Sequence, residues 1–282
     1  MLLIPDDATI HLQMANLCRH AKVIVFVGLP GTGKSLYINH LYHYAHQEGY
    51  LPQLIQWDVC RKEFEKGELK STFPTKQGQV HPGVRLSAGK WLLSYLKKWH
   101  QTNLDNANNK LFIEAPLVGS RFSELCHIQE DNELEQLLRS EKVQFILPIP
   151  NNEVRAKIES DRNTQVSETA QDWSGAKPSV LLQLWKDTLA IARKLDITRY
   201  QEEDYQAHIY QSTYQYILRH RHTCILDIDK IYDVAIADET SLHSLKNQKP
   251  KLAEVIQAVT QIHKTYSSEK QMLTQIDKWY KT

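Results

Sequence analysis

The sequence predicts an α/β protein: a doubly wound, five-stranded parallel sheet with helices on both faces and a helical C-terminal extension. Three observations carry that expectation. Short apolar runs alternate with longer segments patterned at helical spacing. The first run, Val23-Ile24-Val25-Phe26-Val27, is apolar at every position, as a central parallel strand covered on both faces requires. It leads directly into the glycine-rich turn Gly28-Leu29-Pro30-Gly31-Thr32-Gly33-Lys34-Ser35, and then into an apolar-periodic segment through Tyr44. Strand, glycine loop and helix in that order is the opening unit of many doubly wound sheets.

Each element follows in turn. Residues 1–20 place Asp6 and Asp7 ahead of Ile10, Met14 and Leu17, which predicts an N-terminal helix. Residues 21–230 form the expected core. The helix after the glycine loop runs to about Gln47 and stops at Glu48-Gly49, and Gln53–Trp57 is the second strand, ending at Asp58. Residues 61–82 are polar and contain Gly67, Pro74, Gly78 and Pro82-Gly83, the pattern of a mobile insertion. Val84, Ala88, Trp91, Leu92, Tyr95 and Trp99 recur at helical spacing, so both tryptophans read as core contacts. Lys110–Glu114 is the third strand and Val143–Leu147 the fourth; Phe122, Leu125, Leu134, Leu137 and Leu138 suggest helix between them. A charged helix from Asn151 or Asn152 to Arg162 and the polar stretch 163–178 form a lid region, 151–178. Helices fit 180–195 and about 202–219, and Thr223–Ile228 is the last strand. The extension, 231–282, closes with a helix marked by Leu252, Val255, Ile256, Val259 and Ile262.

Composition bounds the function. A chain of 282 residues can bury one sizeable core. A formal net charge of +1 provides no global field for nucleic acid or membrane. Cys18, Cys60, Cys126 and Cys224 include no CxxC pair, which fits reduced thiols rather than a disulfide framework or a zinc site. The first residues lack the basic-then-apolar pattern of a signal peptide, and no apolar run approaches the ~20 residues of a membrane span. A cytoplasmic protein with no membrane partner is the expectation.

The chemistry starts at the glycine loop. Gly28 to Ser35 fits G-x-x-x-x-G-K-[ST] at every fixed position. Gly28, Gly31 and Gly33 let the backbone curl so that its N–H groups point inward as an anion nest, with Pro30, Thr32 and Leu36 completing the binding segment. The following helix adds free N–H groups and the positive end of its dipole. Lys34 is placed to reach the β- and γ-phosphates of a nucleoside triphosphate, and Ser35 to hold Mg²⁺ through its hydroxyl. ATP and Mg²⁺ are the expected ligands. Glu114, ending the third strand, is the candidate acid that holds the metal through water or polarises a water.

Asp58 and Arg61, in Trp57-Asp58-Val59-Cys60-Arg61, narrow the reading. A GxPGxGKS loop followed by a strand ending in D-x-x-R resembles the polynucleotide-kinase and zeta-toxin branch of the P-loop kinases. The resemblance covers about residues 21–230 and implies the P-loop NTPase fold. It implies that Asp58 accepts the proton of a substrate hydroxyl and that Arg61 orients the acceptor or the transferred phosphate. A carboxylate beside an attacking hydroxyl is also sound chemistry on its own. Kinases of this fold carry a lid helix after the fourth strand with two basic residues one turn apart. Here Arg155 and Arg162 stand seven apart, with Lys157 on another face, a departure from that spacing. Arg162 is the lid candidate and Arg155 or Lys157 its partner, each able to neutralise charge on the equatorial oxygens.

Weaker candidates are Arg85 and Arg121, either of which can clamp an acceptor phosphate, and His81 ahead of its Pro-Gly turn. Tyr205, Tyr210, Tyr214 and Tyr216 with Arg219-His220-Arg221-His222 mix aromatic and basic groups as nucleic-acid surfaces do, although packing and the helix dipole explain them equally. The expected activity is transfer of the γ-phosphoryl group to a hydroxyl of a small molecule or of a 5′-OH nucleic-acid end. The alternative is an ATPase switch without an acceptor. A GTPase is disfavoured, because Asn109-Lys110-Leu111-Phe112 lacks the base-reading aspartate and Glu114-Ala115-Pro116-Leu117 stands where Asp-x-x-Gly belongs. The intact Lys34-Ser35 pair and Asp58 argue against a module that binds nucleotide without turnover.

Overall fold

A computed structural model describes residues 3–75, 79–168, 178–232 and 245–282, the side chains of 162–168 excepted. Five parallel strands form one sheet: β1 (Val23–Val27), β2 (Leu51–Gln56), β3 (Asn109–Ala115), β4 (Val143–Pro150) and β5 (Thr223–Ile228), in the order β2-β3-β1-β4-β5. Strand β1 lies at the centre, paired with β3 on one side and β4 on the other. Its five residues are all buried, which accounts for its unbroken apolar run.

Strand parity divides the interior into two layers. Val23, Val25 and Val27 face one layer with Leu111, Ile113 and Ala115 of β3. Ile24 and Phe26 face the other with Phe112, where α1 (Thr9–His20) and α2 (Lys34–Gln47) supply Met14, Cys18, Tyr37, Ile38 and Leu41. The first layer is covered by α5 (Pro82–Thr102), α8 (Pro178–Lys194), α9 (Ala207–Ile217), α10 (Leu252–Thr265) and α11 (Glu269–Ile276). Helices therefore cover both faces. Trp91 and Trp99 are buried on α5, and each indole N–H has an acceptor, Glu254 and Gln53 respectively.

Several boundaries differ from the sequence reading. Strand β2 ends at Gln56, and Trp57 already opens α3 (Trp57–Glu63), so Asp58 lies in a first helical turn. A carboxylate is favoured there by the helix dipole, a signal easily mistaken for a strand tip. Strand β3 runs one residue beyond Glu114. Phe122 lies in a loop, followed by a short 3₁₀ turn, Ser123–Leu125, and by α6 (Asn132–Leu138). The helix expected over 202–219 is confined to Ala207–Ile217.

Residues 61–82, expected to be a mobile insertion, contain the short helix α4 (Leu69–Thr72) and the buried Phe73. The Phe73 ring stacks between the imidazoles of His81 and His263, with ring centres 5.0 and 5.2 Å away. Gly78, part of that expectation, lies outside the described residues. The lid region begins with α7 (Asn152–Glu168), and its stretch 169–177 also lies outside them.

The described part of the C-terminal extension packs on the core. Gln248 N–H donates to the Leu54 carbonyl, and Asn247 bridges Leu54 along the free edge of β2. Val255, Ala258, Val259, Ile262, Met272 and Ile276 join the layer containing α5. Among the described residues no helix is long and apolar enough to cross a membrane.

Candidate functional site

The loop Gly28–Gly33 leaves the C-terminal end of the central strand, the edge where ligands of open α/β sheets gather. Gly28, Gly31 and Gly33 adopt φ of 120°, 77° and 83°, a range that L side chains rarely enter. Gly33 stands at the N-cap of α2 in the left-handed region and, having no side chain, supplies no cap to the first-turn N–H groups. Those donors and the helix dipole make the segment suited to an anion. Lys34 is buried and donates from Nζ to the carbonyls of Gly28 (2.8 Å) and Leu29 (2.7 Å), folding back along the loop it follows. Thr32 Oγ1 donates to the Leu29 carbonyl, and Ser35 is exposed at the start of α2, with Leu36 half-buried beside it.

Two residues brace the loop from outside. The Tyr210 hydroxyl accepts from the Leu29 N–H at 3.2 Å and rests against Gly28, where an added Cβ would lie 2.1 Å from that oxygen. Tyr210 was legible only as a tyrosine at helical spacing, and its partner is 181 residues away in sequence. Arg155 is 1% exposed. It donates from Nη1 to the Pro30 carbonyl (2.7 Å) and from Nε to Glu159 (2.7 Å), with the Tyr205 ring 5.4 Å from its guanidinium carbon. Its third nitrogen, Nη2, is buried without a partner. Arg162 belongs to α7, and its side chain lies outside the described residues.

Parity places Glu114 on the sheet face that α2 covers, in register with Phe26 on one side and Gln56 on the other. Gln56 Nε2 approaches its Oε2 at 3.5 Å. Burial pushes the Glu114 carboxyl above its ordinary range, opposed by the charge of Lys34 and reinforced by that of Asp58. The donor set fits Mg²⁺: the Ser35 hydroxyl and the Glu114 carboxylate are hard oxygen ligands beside an anion nest. Among the described residues no group of three or more His, Cys, Asp or Glu could hold a metal alone, so phosphate oxygens would have to complete such a site.

The third part of the site lies at the tips of β2 and β3. The Asp58 side chain is 67% exposed and accepts from Arg61 Nε at 2.8 Å, while Arg61 Nη1 reaches Glu65 at 2.8 Å. Next to it, residues 117–122 form a tight loop closed by reciprocal hydrogen bonds between Leu117 and Arg121 (3.0 and 3.1 Å). Leu117, Ser120 and Phe122 all take positive φ, near 60°, in a span of six residues. Such backbone strain costs of order 1–3 kcal/mol per residue and clusters at functional sites. The loop is held by the Tyr214 hydroxyl on the Pro116 carbonyl, by Arg85 Nη1 on the Gly119 carbonyl (2.8 Å), and by Phe122 packed edge-on against Trp57.

The structure thus gathers Gly28, Pro30, Gly31, Thr32, Gly33, Lys34 and Arg155 at one loop, with Glu114 on the adjacent strand and Asp58 and Arg61 one strand beyond. Sequence reasoning weighed Tyr210 and Tyr214 only as packing or surface aromatics and missed their bracing role and the strained loop. The pair Gly119-Ser120 beside Arg121 was the available signal for the last. His81 is turned inward and caps α5 by accepting the Gly83 N–H. Tyr205, Tyr210 and Tyr214 are buried, as is Arg221 through its ion pair with Glu135, so they offer bases no stacking surface; Tyr216, Arg219 and His222 are exposed, with the Arg219 guanidinium 4.4 Å over the Tyr216 ring. No protein-family model matches the chain, and no curated protein matches it in sequence.

Proposed function

We propose that this protein is an ATP-dependent kinase of the P-loop fold that transfers the γ-phosphoryl group to a hydroxyl. One observation carries the reading: the Gly28–Ser35 loop stands on the central strand, with the half-buried Glu114 near the end of the neighbouring β3 and the exposed Asp58 in the helical turn that follows β2. The two carboxylates suit different tasks.

The nest and the first turn of α2 hold the phosphates, and Lys34 exchanges its two carbonyl acceptors for β- and γ-phosphate oxygens. Ser35 and Glu114 are the residues that would hold Mg²⁺, which when bound supplies charge neutralisation on those oxygens. Asp58 aligns the acceptor hydroxyl and takes its proton at a carboxylate oxygen, with Arg61 fixing the carboxylate's orientation. Arg155 positions the loop through the Pro30 carbonyl, and in this reading the acceptor approaches from the β2–β3 side, where Asp58 lies.

The test is label transfer from γ-labelled ATP with Mg²⁺ to separate pools of nucleosides, sugars and 5′-OH oligonucleotides, alongside Asp58→Asn. Transfer should fall at least a hundredfold in the variant while ATP binding persists. Phosphate released equally by both proteins, with no acceptor labelled, would refute the kinase and favour an ATPase switch centred on Glu114.

A further inference from the structure

We infer that the acceptor is a small phosphorylated alcohol whose own phosphate is clamped by Arg85 and Arg121, a deepening of the kinase reading on which it rests. The argument begins with unspent hydrogen-bond donors. Arg61 is already committed to Asp58 and Glu65. Arg121 makes no side-chain hydrogen bond or ion pair with any described residue, and Arg85 uses only Nη1, leaving Nε buried without a partner. A guanidinium offers five donors, so two of them here present far more donors than the protein satisfies.

The two cations are held close together. Arg85 is tied to Gly119, two residues before Arg121, and Arg121 sits between the positive-φ residues Ser120 and Phe122. Arg121 is therefore aimed by a strained loop that Trp57, Tyr214 and Arg85 lock in place. Burial and the neighbouring Arg121 charge pull the Arg85 guanidinium down to about 10, a sign that its positive charge lacks full compensation. Arg121 is lowered chiefly by burial, partly offset by Asp58. The carboxylates that act on both arginines include Asp187 of α8, and Asp277 acts on Arg85; both are exposed, and neither forms an ion pair with them.

Placement assigns the pair to the acceptor and not to the transferred group. In the order β2-β3-β1, the loop after β3 lies beside Asp58, on the side of β3 that faces β2 and α5. Asp58 acts electrostatically on both Glu114 and Arg121, so it lies within reach of the candidate metal-holding acid and of one arginine of the pair. A molecule with its hydroxyl at Asp58 and a phosphate at Arg85 and Arg121 spans those positions. A compact phosphate ester fits better than a polynucleotide, because Tyr205, Tyr210, Tyr214 and Arg221 are buried and the exposed Arg219 already stacks on the exposed Tyr216, 4.4 Å from its ring centre.

The experiment compares matched acceptors with γ-labelled ATP: nucleosides against nucleoside monophosphates, sugars against sugar phosphates, and 5′-OH oligonucleotides. Label should enter a phosphorylated small-molecule pool, and Arg121→Gln and Arg85→Gln should each raise KM for that acceptor at least tenfold with a smaller change in kcat. Arg121→Lys should recover part of the loss. Label entering an uncharged alcohol or an oligonucleotide, indifferent to both substitutions, would overturn the assignment. If no pool is labelled, the kinase reading fails, and binding of inorganic phosphate to full-length Lys34→Ala protein decides the anion site separately. Binding weakened tenfold by Arg121→Gln sustains the clamp; absent or unaffected binding removes it.

Discussion

Replacing Gly28 by alanine tests the geometry of the loop, and the structure supplies the magnitude. The new Cβ would stand 2.1 Å from the Tyr210 hydroxyl oxygen, far inside van der Waals contact; the next neighbours, Leu147 Cδ1 and Tyr210 Cζ, lie at an ordinary 3.4 Å. Overpacking of this kind costs about 1–3 kcal/mol. The φ of 120° adds backbone strain of about 1–3 kcal/mol for any residue with a Cβ. Gly28→Ala should therefore destabilise the protein by about 2–6 kcal/mol. Tyr210→Phe alone orphans the buried Leu29 N–H, at a cost of about 1–3 kcal/mol. The double variant keeps the backbone strain and the lost hydrogen bond but relieves the clash. It should thus be about 1–3 kcal/mol more stable than the sum of the singles implies. Urea denaturation of the four proteins, at matched m-values, measures this coupling. Additive losses would mean that Tyr210 does not seat on Gly28, and the bracing of the glycine loop by α9 would have to be abandoned.

Two pH dependences follow from buried groups. His40 Nδ1 accepts from the amides of Leu3 and Ile4, both at 3.2 Å, so its proton lies on Nε2, directed at His11 Nδ1 2.9 Å away. Burial, with the charges of His11 and His43, pushes His40 down to about 4. The released form of the N-terminal segment takes up a proton near 6.5, so protection of the Leu3 and Ile4 amides should fall as pH drops from 6.5 towards 4. Hydrogen exchange with unchanged protection across that window would contradict it. Glu124 is enclosed against Gly89 with Oε2 unpartnered, and burial raises its carboxyl to about 8. Its stabilising contribution is present below the ordinary range near 4.5 and is lost as pH rises towards 8. Glu124→Gln should remove that decline, which can reach about 1.4 kcal/mol per pH unit, in urea titrations at pH 5.5 and 8. Parallel profiles for the two proteins would exclude the effect.

Much of the architecture was legible because it depends on local signals. The apolar run at 23–27 and the glycines behind it mark a buried strand and a loop needing positive φ, and the third apolar run marks Glu114 near a strand end. The part around Asp58 and Arg121 was not legible for a physical reason. Its loop takes left-handed backbone at Leu117 and Phe122, residue types that carry no turn signal, and only Gly119-Ser120 between them marks a turn. That conformation is imposed by contacts with Trp57, Arg85 and Tyr214, drawn from three other helices. Arg155 shows a different limit. As a charged residue on a polar helix it reads as a mobile lid cation, yet Tyr205, 50 residues on, and the Pro30 carbonyl give it a buried seat. Composition cannot reveal such a seat, because both partners come from other parts of the chain.

The segment along β2 has a consequence for the order in which the molecule is completed during synthesis. Strand β2 and α5 emerge early, but the group that pairs with Leu54 at the sheet edge is Gln248, and the helices that cover α5 lie at 252–276. Until those residues leave the ribosome, the β2 edge presents unpaired N–H and C=O groups and α5 exposes an apolar flank, the features that invite edge-to-edge association. The half of the protein that carries Asp58 and Arg85 is then the last to acquire its support. Ending the chain before Asn247 should therefore lead the protein to self-associate through β2, even though every residue of the glycine loop remains in place.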